Sequence, residues 1–299
     1  MLMLKELPNE LPNEPSESLT QMTEQEFEVF KQFVYEHFGI HLSDEKRLMV
    51  SVRLQKAARR LKLASIREFL QHLHSNQTAD VVRELTNHIT TNHTFFWRES
   101  DHFEVFQQHV LPEIAQKLRA HRDFDLRVWS AGCSSGEEAY ILVMLMMEVL
   151  GADYAQWKAG VLATDISEQA LSTARRGTYS TERIAPLPPQ LKHKYFQQSG
   201  QHGEWEVIAR VKNEVTFRNL NLMNERFPFK KPFHVVFCRN VMIYFDQPTR
   251  EALVRRLYDA LIPGGYLFIG HSETLGRSQT LFRYMQPAVY QKVVSRTLY

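Results

Sequence analysis

The stretch LRVWSAGCSSGEEAY, residues 126–140, decides the fold. LRVWSAG (126–132) reads as a buried strand ending on Gly132, and an apolar-rich helix opens after Gly136 and runs to Leu150. A glycine-containing turn between a strand and a helix is where a doubly wound sheet takes its ligands, at the carboxyl ends of its strands. The spacing is G-x-x-x-G, not the G-x-G-x-x-G of a dinucleotide loop. Glu137 and Glu138 stand at the helix start, where two carboxylates would repel a pyrophosphate. The turn suits a ligand without phosphate, and a cationic one, or it is an ordinary tight βα connection.

Downstream the same grammar repeats. AGVLATD (159–165) is a second strand and SEQALSTARRG (167–177) a second helix with a glycine stop. FHVVFCRN (233–240) is a third strand, followed by a helix from Gln247 to Leu261, a PGG turn into YLFIGHSE, and a last strand in AVYQKVV (288–294). Alternating strand and helix units predict an α/β fold, a mostly parallel Rossmann-like sheet with helices on both faces. The alternation breaks between Leu191 and Phe217, where HGEWEVIARV and NEVTF read as short strands. They predict a small antiparallel β insertion at about 192–217. Asp165 ends the second strand, placed to accept hydrogen bonds from ribose hydroxyls or to cap the helix that follows. Loop and aspartate together indicate an adenosine site without a diphosphate. S-adenosylmethionine matches, with NAD as the second reading.

Upstream the pattern is helical. Thr23 and Glu26 form a capping box ahead of Phe27, Phe30, Phe33 and Val34, and Gly39 ends that helix. A second helix carries Leu54, Ala57, Ala58 and Leu61 on one stripe, and two more follow near 65–75 and 78–90. Residues 21–90 are thus expected to form a small all-helical domain, with 91–104 linking it to the domain spanning 105–299. Residues 1–20, with the repeat ELPNELPNEP, read as a disordered tail.

Composition narrows the function. The 299 residues are 43% apolar and 23% charged, as in globular proteins, with a net charge of +2. That balance argues against a dedicated nucleic-acid binder. Cys133 and Cys238 are too few for a disulfide framework or a cysteine-rich zinc site, and the histidines show no metal spacing, so no metal is expected. The longest apolar run, Ala139–Met147, falls short of a bilayer span, and the first residues lack a signal core; a cytoplasmic protein is expected. Both cysteines end neighbouring strands, either as inert buried thiols or as oxidant-sensitive groups beside the ligand.

Four segments make the reading specific. TTNHTFFWRE (90–99), SAGCSSGEEAY (130–140), ATDIS (163–167), and CRNVMIYF (238–245) with PGGYLFIGHSE (263–273) together resemble the CheR family, the chemotaxis receptor glutamate O-methyltransferases. The resemblance covers nearly the whole chain after the tail. One departure is Ala139, where the family has proline. The resemblance implies methyl transfer from S-adenosylmethionine to receptor glutamates, with S-adenosylhomocysteine as product. It implies that Asn92, Thr94 and Arg98 meet the cofactor's methionine end, that Gly132 and Glu138 lie near it, and that Asp165 holds the ribose. Asn221 and Leu222 would flank the adenine, Arg239 and Asn240 would line the pocket, and Tyr244 would face the methyl-transfer site with Arg98. On spacing alone Arg98 reads as a surface ion pair with Glu99 or Asp101, and Tyr244 as a core aromatic. The chain also lacks the D-P-P-Y or N-P-P-Y motif of base methyltransferases.

Between Lys46 and Arg67 lie Lys46, Arg47, Arg53, Lys56, Arg59, Arg60, Lys62 and Arg67 without one acidic residue. This is a solvated helix face or, through Arg53, Lys56, Arg59 and Arg60, a docking surface for an acidic partner. The resemblance names that partner as the helical bundle of methyl-accepting chemotaxis receptors, with the β insertion as a site for a receptor C-terminal tether peptide in some members. The enzyme is expected to be a monomer that reaches the membrane only through its receptor. A non-catalytic cofactor-sensing module is the competing class, disfavoured by the intact set of Asn92, Arg98, Asp165, Asn240 and Tyr244.

Overall fold

The computed structural model describes residues 22–75, 79–89, 94–200, 203–275 and 282–293. The tail expected over 1–20 lies outside them. Helix α1 (Glu24–Phe38) starts at the capping box, with the Thr23 hydroxyl accepting from Glu26 N–H and the Glu26 carboxylate from Thr23 N–H. It packs with α2 (Arg47–Arg60), α3 (Ile66–His74) and α4 (Ala79–Ile89). Phe27, Phe30, Val34, Leu54, Ala57, Phe69 and Leu85 form the core of this unit. The apolar spacing read from the sequence therefore does face inward.

The chain then runs through α5 (Ser100–Val105), a π-helical turn at Phe106–Val110, and α6 (Leu111–Ala120) into the sheet. Its elements are β1 (Asp125–Ala131), α7 (Glu137–Leu150), β2 (Lys158–Asp165) and α8 (Glu168–Arg176). Next come β3 (Thr178–Ser180), α9 (Thr181–Ile184), α10 (Pro189–Tyr195), β4 (Phe196–Gln198), β5 (Glu204–Val207) and α11 (Ala209–Lys212). The chain closes with β6 (Val215–Asn219), β7 (Phe233–Cys238), α12 (Gln247–Asp259), β8 (Leu261–Ile269), β9 (Phe282–Gln286) and β10 (Val289–Lys292). Among the described residues, seven strands form one sheet in the order β6-β2-β1-β7-β8-β10-β9. The pairs from β6 to β8 are parallel and the last two antiparallel. The carboxyl ends of β1, β2 and β7 therefore lie side by side, and a site is expected there.

Several strand assignments differ from the sequence reading. NEVTF does not belong to the insertion: Val215–Asn219 pairs parallel with Val161–Asp165 as the sheet's edge, because Val215 and Phe217 bury against the main core. The small sheet, β3-β5-β4, instead recruits Thr178–Ser180 from upstream, and Ala209–Lys212 is a helical turn. PGG lies inside β8, opposite a register shift in β7, rather than in a separate turn. Finally, the edge strand β9 escaped the reading.

Phe237 sits at the centre of the core, fully buried, stacked on Phe268 at 4.3 Å and edge-on to Phe106 at 5.5 Å. Replacing Phe237 by Ala should cost about 3–5 kcal/mol of stability, read from the shift of a urea unfolding curve.

Candidate active site

The cleft at the sheet's carboxyl edge is lined by Thr94, Arg98, Gly132, Glu138, Asp165, Asn221, Leu222, Arg239, Asn240 and Tyr244. Of the residues expected there, Asn92 lies outside the described residues. The structure brings the others to one place from widely separated segments. Phe38 and Ile40, from the helical unit, close one end.

The loop after β1 is shaped by its backbone. Gly132 and Cys133 both donate N–H to the Thr164 carbonyl, at 2.7 and 2.9 Å, which pins the loop to β2. Gly136 has φ +94°, and a Cβ there would lie 2.8 Å from the Ala174 Cβ. Only glycine fits at that conformation and that approach to α8. Ser134 N–H and Ser167 N–H donate to the two oxygens of Asp165, each at 2.8 Å. The cap of α8 is Ser167, whose hydroxyl accepts from Ala170 N–H. Asp165 is thus freed from the capping role, and its carboxylate keeps acceptor capacity beyond its backbone donors. Burial pushes its carboxyl up, against the pull of those backbone donors.

The two glutamates at the start of α7 part company. Glu137 turns inward, fully buried, to Arg183 and the Ser135 hydroxyl. Glu138 faces the cleft, accepting from the Ser130 hydroxyl at 2.7 Å and from Arg239 Nη1 at 3.0 Å. Only one of the two carboxylates, that of Glu138, therefore faces the cleft.

Arg239 is buried, and each of its three guanidinium nitrogens has a partner. It pairs with Glu138, with Glu99 at 3.0 Å, and with the Arg98 carbonyl, and lies 5.0 Å over the Phe103 ring. Glu99 also accepts from Asn240 Nδ2 at 3.0 Å. Burial raises the Glu99 carboxyl, but the hydrogen bonds and charge of Asn240 and Arg239 outweigh it and hold it below the usual value. Trp97, Glu99 and Asn240 all have positive φ, so local strain gathers at the cleft, as it does at functional sites. Asn221 donates to the His37 carbonyl at 2.7 Å and accepts from Met223 N–H. Leu222 is fixed by Arg256, which donates to its carbonyl at 2.9 Å.

Sequence reasoning missed several residues. Glu99 entered only as a surface ion-pair partner of Arg98, and Glu273 only as a member of GHSE. Glu273 accepts from the N–H groups of Gly270, Asn240 and Ile243. Ser134 lines the cleft with a buried hydroxyl that has no hydrogen-bond partner among the described residues. Glu99, His102 and His271 bring ligand-type atoms within 4.8 Å of one another, but both Glu99 oxygens serve Arg239 and Asn240, and the guanidinium disfavours a cation beside it. His271 contacts Asp101 at 2.9 Å. Burial pushes both cysteine thiols up, reinforced for Cys133 by Asp165 and Glu138 and for Cys238 by Glu273 and Glu138, which favours inert thiols.

The basic helix lies apart from the cleft. Lys56, Arg59 and Arg60 are exposed and Arg53 is half-buried on α2. Arg60 meets Glu84 of α4 at 3.2 Å. The same helix exposes Leu48, Met49 and Val52, so its outer surface is mixed basic and apolar. No helix among the described residues is long and apolar enough to cross a membrane.

The family model described as "CheR methyltransferase, SAM binding domain" matches residues 92–291, and "CheR methyltransferase, all-alpha domain" matches 25–90. The chain is 40% identical over 271 residues to the chemotaxis protein methyltransferase of Borreliella burgdorferi, covering 91% of this chain and 95% of that one. It is 37% identical over 290 residues to the chemotaxis protein methyltransferase of Escherichia coli K12, covering 94% and 97%.

His102 gives this region a pH signature. It is fully buried, its Nδ1 lies 3.5 Å from the Glu99 carboxylate, neither ring nitrogen has a hydrogen-bond partner among the described residues, and burial followed by the charge of Arg239 lowers its pKa from 6.5 to about 4. The unfolded chain takes up a proton that the native state refuses, so this histidine costs stability as pH falls through that window. Relative to His102→Leu, the wild type should lose on the order of 3 kcal/mol between neutral pH and pH ~4, measured by urea unfolding across pH.

Proposed function

The chain belongs to the CheR methyltransferase family, and from that premise we propose that it methylates the γ-carboxylates of glutamates in the cytoplasmic helices of chemoreceptors. S-adenosylmethionine would be the donor, S-adenosylhomocysteine and a glutamate methyl ester the products. The observation that carries this reading is the convergence of Thr94, Arg98, Glu138, Asp165, Arg239, Asn240 and Tyr244 on one cleft at the sheet's carboxyl edge.

The residues suit the cofactor. The Ser134 hydroxyl, unpartnered among the described residues, and the remaining acceptor capacity of Asp165 offer hydrogen bonds to a polar ligand. Glu138 supplies negative charge at the mouth of the loop, and Asn221 and Leu222 are held in fixed positions by His37 and Arg256. When bound, the cofactor supplies a methyl group on a positively charged sulfur.

The protein's own task is then modest. A glutamate side chain is ionised near neutral pH, so no general base is required. Arg98 and Tyr244 line the cleft, and we assign them the orientation of the incoming carboxylate. Charge is neutralised as the oxygen meets the methyl carbon, so alignment and exclusion of water are the main sources of rate. Arg239 binds Glu99, Glu138 and the Arg98 carbonyl, and we assign it the task of holding the Arg98 segment in place.

The partner would dock on α2. Lys56, Arg59 and the half-buried Arg53 offer charge complementary to an acidic helical bundle, and Leu48, Met49 and Val52 add apolar contact. A tether peptide from the receptor's C-terminus could add to an edge of the β3-β5-β4 sheet, raising the local receptor concentration.

Incubation with labelled cofactor and receptor-containing membranes should place a base-labile methyl label on receptor glutamates; absence of label overturns the assignment. Tyr244→Phe should lower kcat at least tenfold while changing cofactor affinity little, measured by steady-state transfer and calorimetry. Arg53→Glu combined with Lys56→Glu should raise the KM for receptor by roughly tenfold at low salt, with a shrinking difference as salt rises.

A further inference from the structure

Tyr244 sits on a short 3-10 turn, Met242–Tyr244, between β7 and α12. Such a segment has little hydrogen bonding of its own, so its position must be fixed from outside. One side is held by Glu273, whose carboxylate accepts from the N–H groups of Asn240 at 3.0 Å and Ile243 at 3.2 Å. The other side is held by the helical unit.

Helix α1 ends at Phe38 and the chain turns at Gly39, with φ +67°. A Cβ there would come within 2.5 Å of Met223 Sδ and 2.9 Å of Thr249 Cγ2, so the turn is pressed against the other domain. Ile40 then forms an antiparallel bridge with Phe245. His41 N–H donates to the Tyr244 carbonyl at 2.9 Å. Tyr35, one turn back on α1, donates its hydroxyl to Asp246 Oδ2 at 2.8 Å. The other oxygen of Asp246 caps α12, accepting from Thr249 N–H at 3.0 Å. One carboxylate thus joins the two domains immediately beyond Tyr244.

We propose that this arrangement is a latch through which α1 positions Tyr244, with Tyr35 as a positioning residue. The Tyr35 hydroxyl fixes Asp246, the bridge fixes residues 244–245, and the phenol of Tyr244 is thereby kept in the cleft. The proposal rests on the reading of Tyr244 as the group that orients the substrate carboxylate. Phe30 and Val34 of α1 share one core with Leu54 and Ala57 of α2, so the latch and the docking face belong to the same packed unit.

The test uses the full chain with receptor membranes and saturating S-adenosylmethionine. Tyr35→Phe removes only the hydroxyl. Asp246→Ser keeps a good helix cap but is too short to reach Tyr35. Each should lower kcat about fivefold with the KM for S-adenosylmethionine nearly unchanged, and the double variant should be no worse than either single one. Amide exchange at His41 should quicken in Tyr35→Phe, and the cost of Tyr35→Phe should vanish in a Tyr244→Phe background. Unchanged kcat in Tyr35→Phe, beside an impaired Tyr244→Phe, overturns the latch alone. An equal loss in both backgrounds shows that Tyr35 does not act through Tyr244 and also overturns it. Full turnover in Tyr244→Phe strikes the underlying reading first, and that single variant tells the two failures apart.

Discussion

The cleft depends on a buried guanidinium. Arg239 directly follows β7 with its side chain almost wholly out of water, and a cation in that position is tolerated only when it is well paired. Breaking such a pair typically costs about 3–5 kcal/mol, because the remaining charge is stranded. The partners come from distinct parts of the chain: Glu138 from the start of α7, Glu99 and the Arg98 carbonyl from the segment ahead of α5, and the ring of Phe103 beneath. Satisfying one charge therefore forces three pieces of backbone together. The left-handed conformations of Trp97 and Glu99 follow from the same demand, since the turn must present both a carbonyl and a carboxylate to one group. Arg98 is carried on that turn, so its placement in the cleft is a by-product of where its neighbours must go.

A second fixed point is Asp165. Its oxygens receive the backbone of both the β1 loop and the α8 entrance, which makes it a splice between the two βα units. The helical unit adds the third wall through Phe38 and Ile40. The cleft is thus enclosed by pieces that meet only when the strand order β2-β1-β7 is in place.

Much of this was legible in the sequence, and the failures have physical reasons. Strong periodicity over 126–150 was enough for β1 and α7, and Asp165 announced itself by standing at a strand end. Thr178–Ser180 was too short to signal a strand, and its pairing depends on Glu204–Glu206, which lies beyond two intervening helices. NEVTF has the alternation of a half-buried strand in either sheet, and burial of Val215 and Phe217 chose between them. Glu99 looked like a surface ion-pair partner because its true partner, Arg239, lies 140 residues away. Ser134 gave no signal at all: a serine in a tight loop is common, and only the orphaned hydroxyl marks it. The split between Glu137 and Glu138 was invisible for a similar reason, since helix geometry sends adjacent side chains in different directions and only Arg183 shows which one turns inward.

The contact between Tyr35 and Asp246 spans 211 positions of sequence. The fully buried core of the four-helix unit is drawn from residues 22–85, with Ile166 of the other domain packed against it. The cleft is not so local. It closes only after β7 has been inserted next to β1 and the chain has travelled back to meet the turn after α1. Non-local closure of this kind comes late and slowly, and a ligand that recognises the closed cleft would stabilise only the finished molecule. The cleft, and with it any ligand that recognises it, therefore depends on β7 and the segment after it having been added to the helical unit.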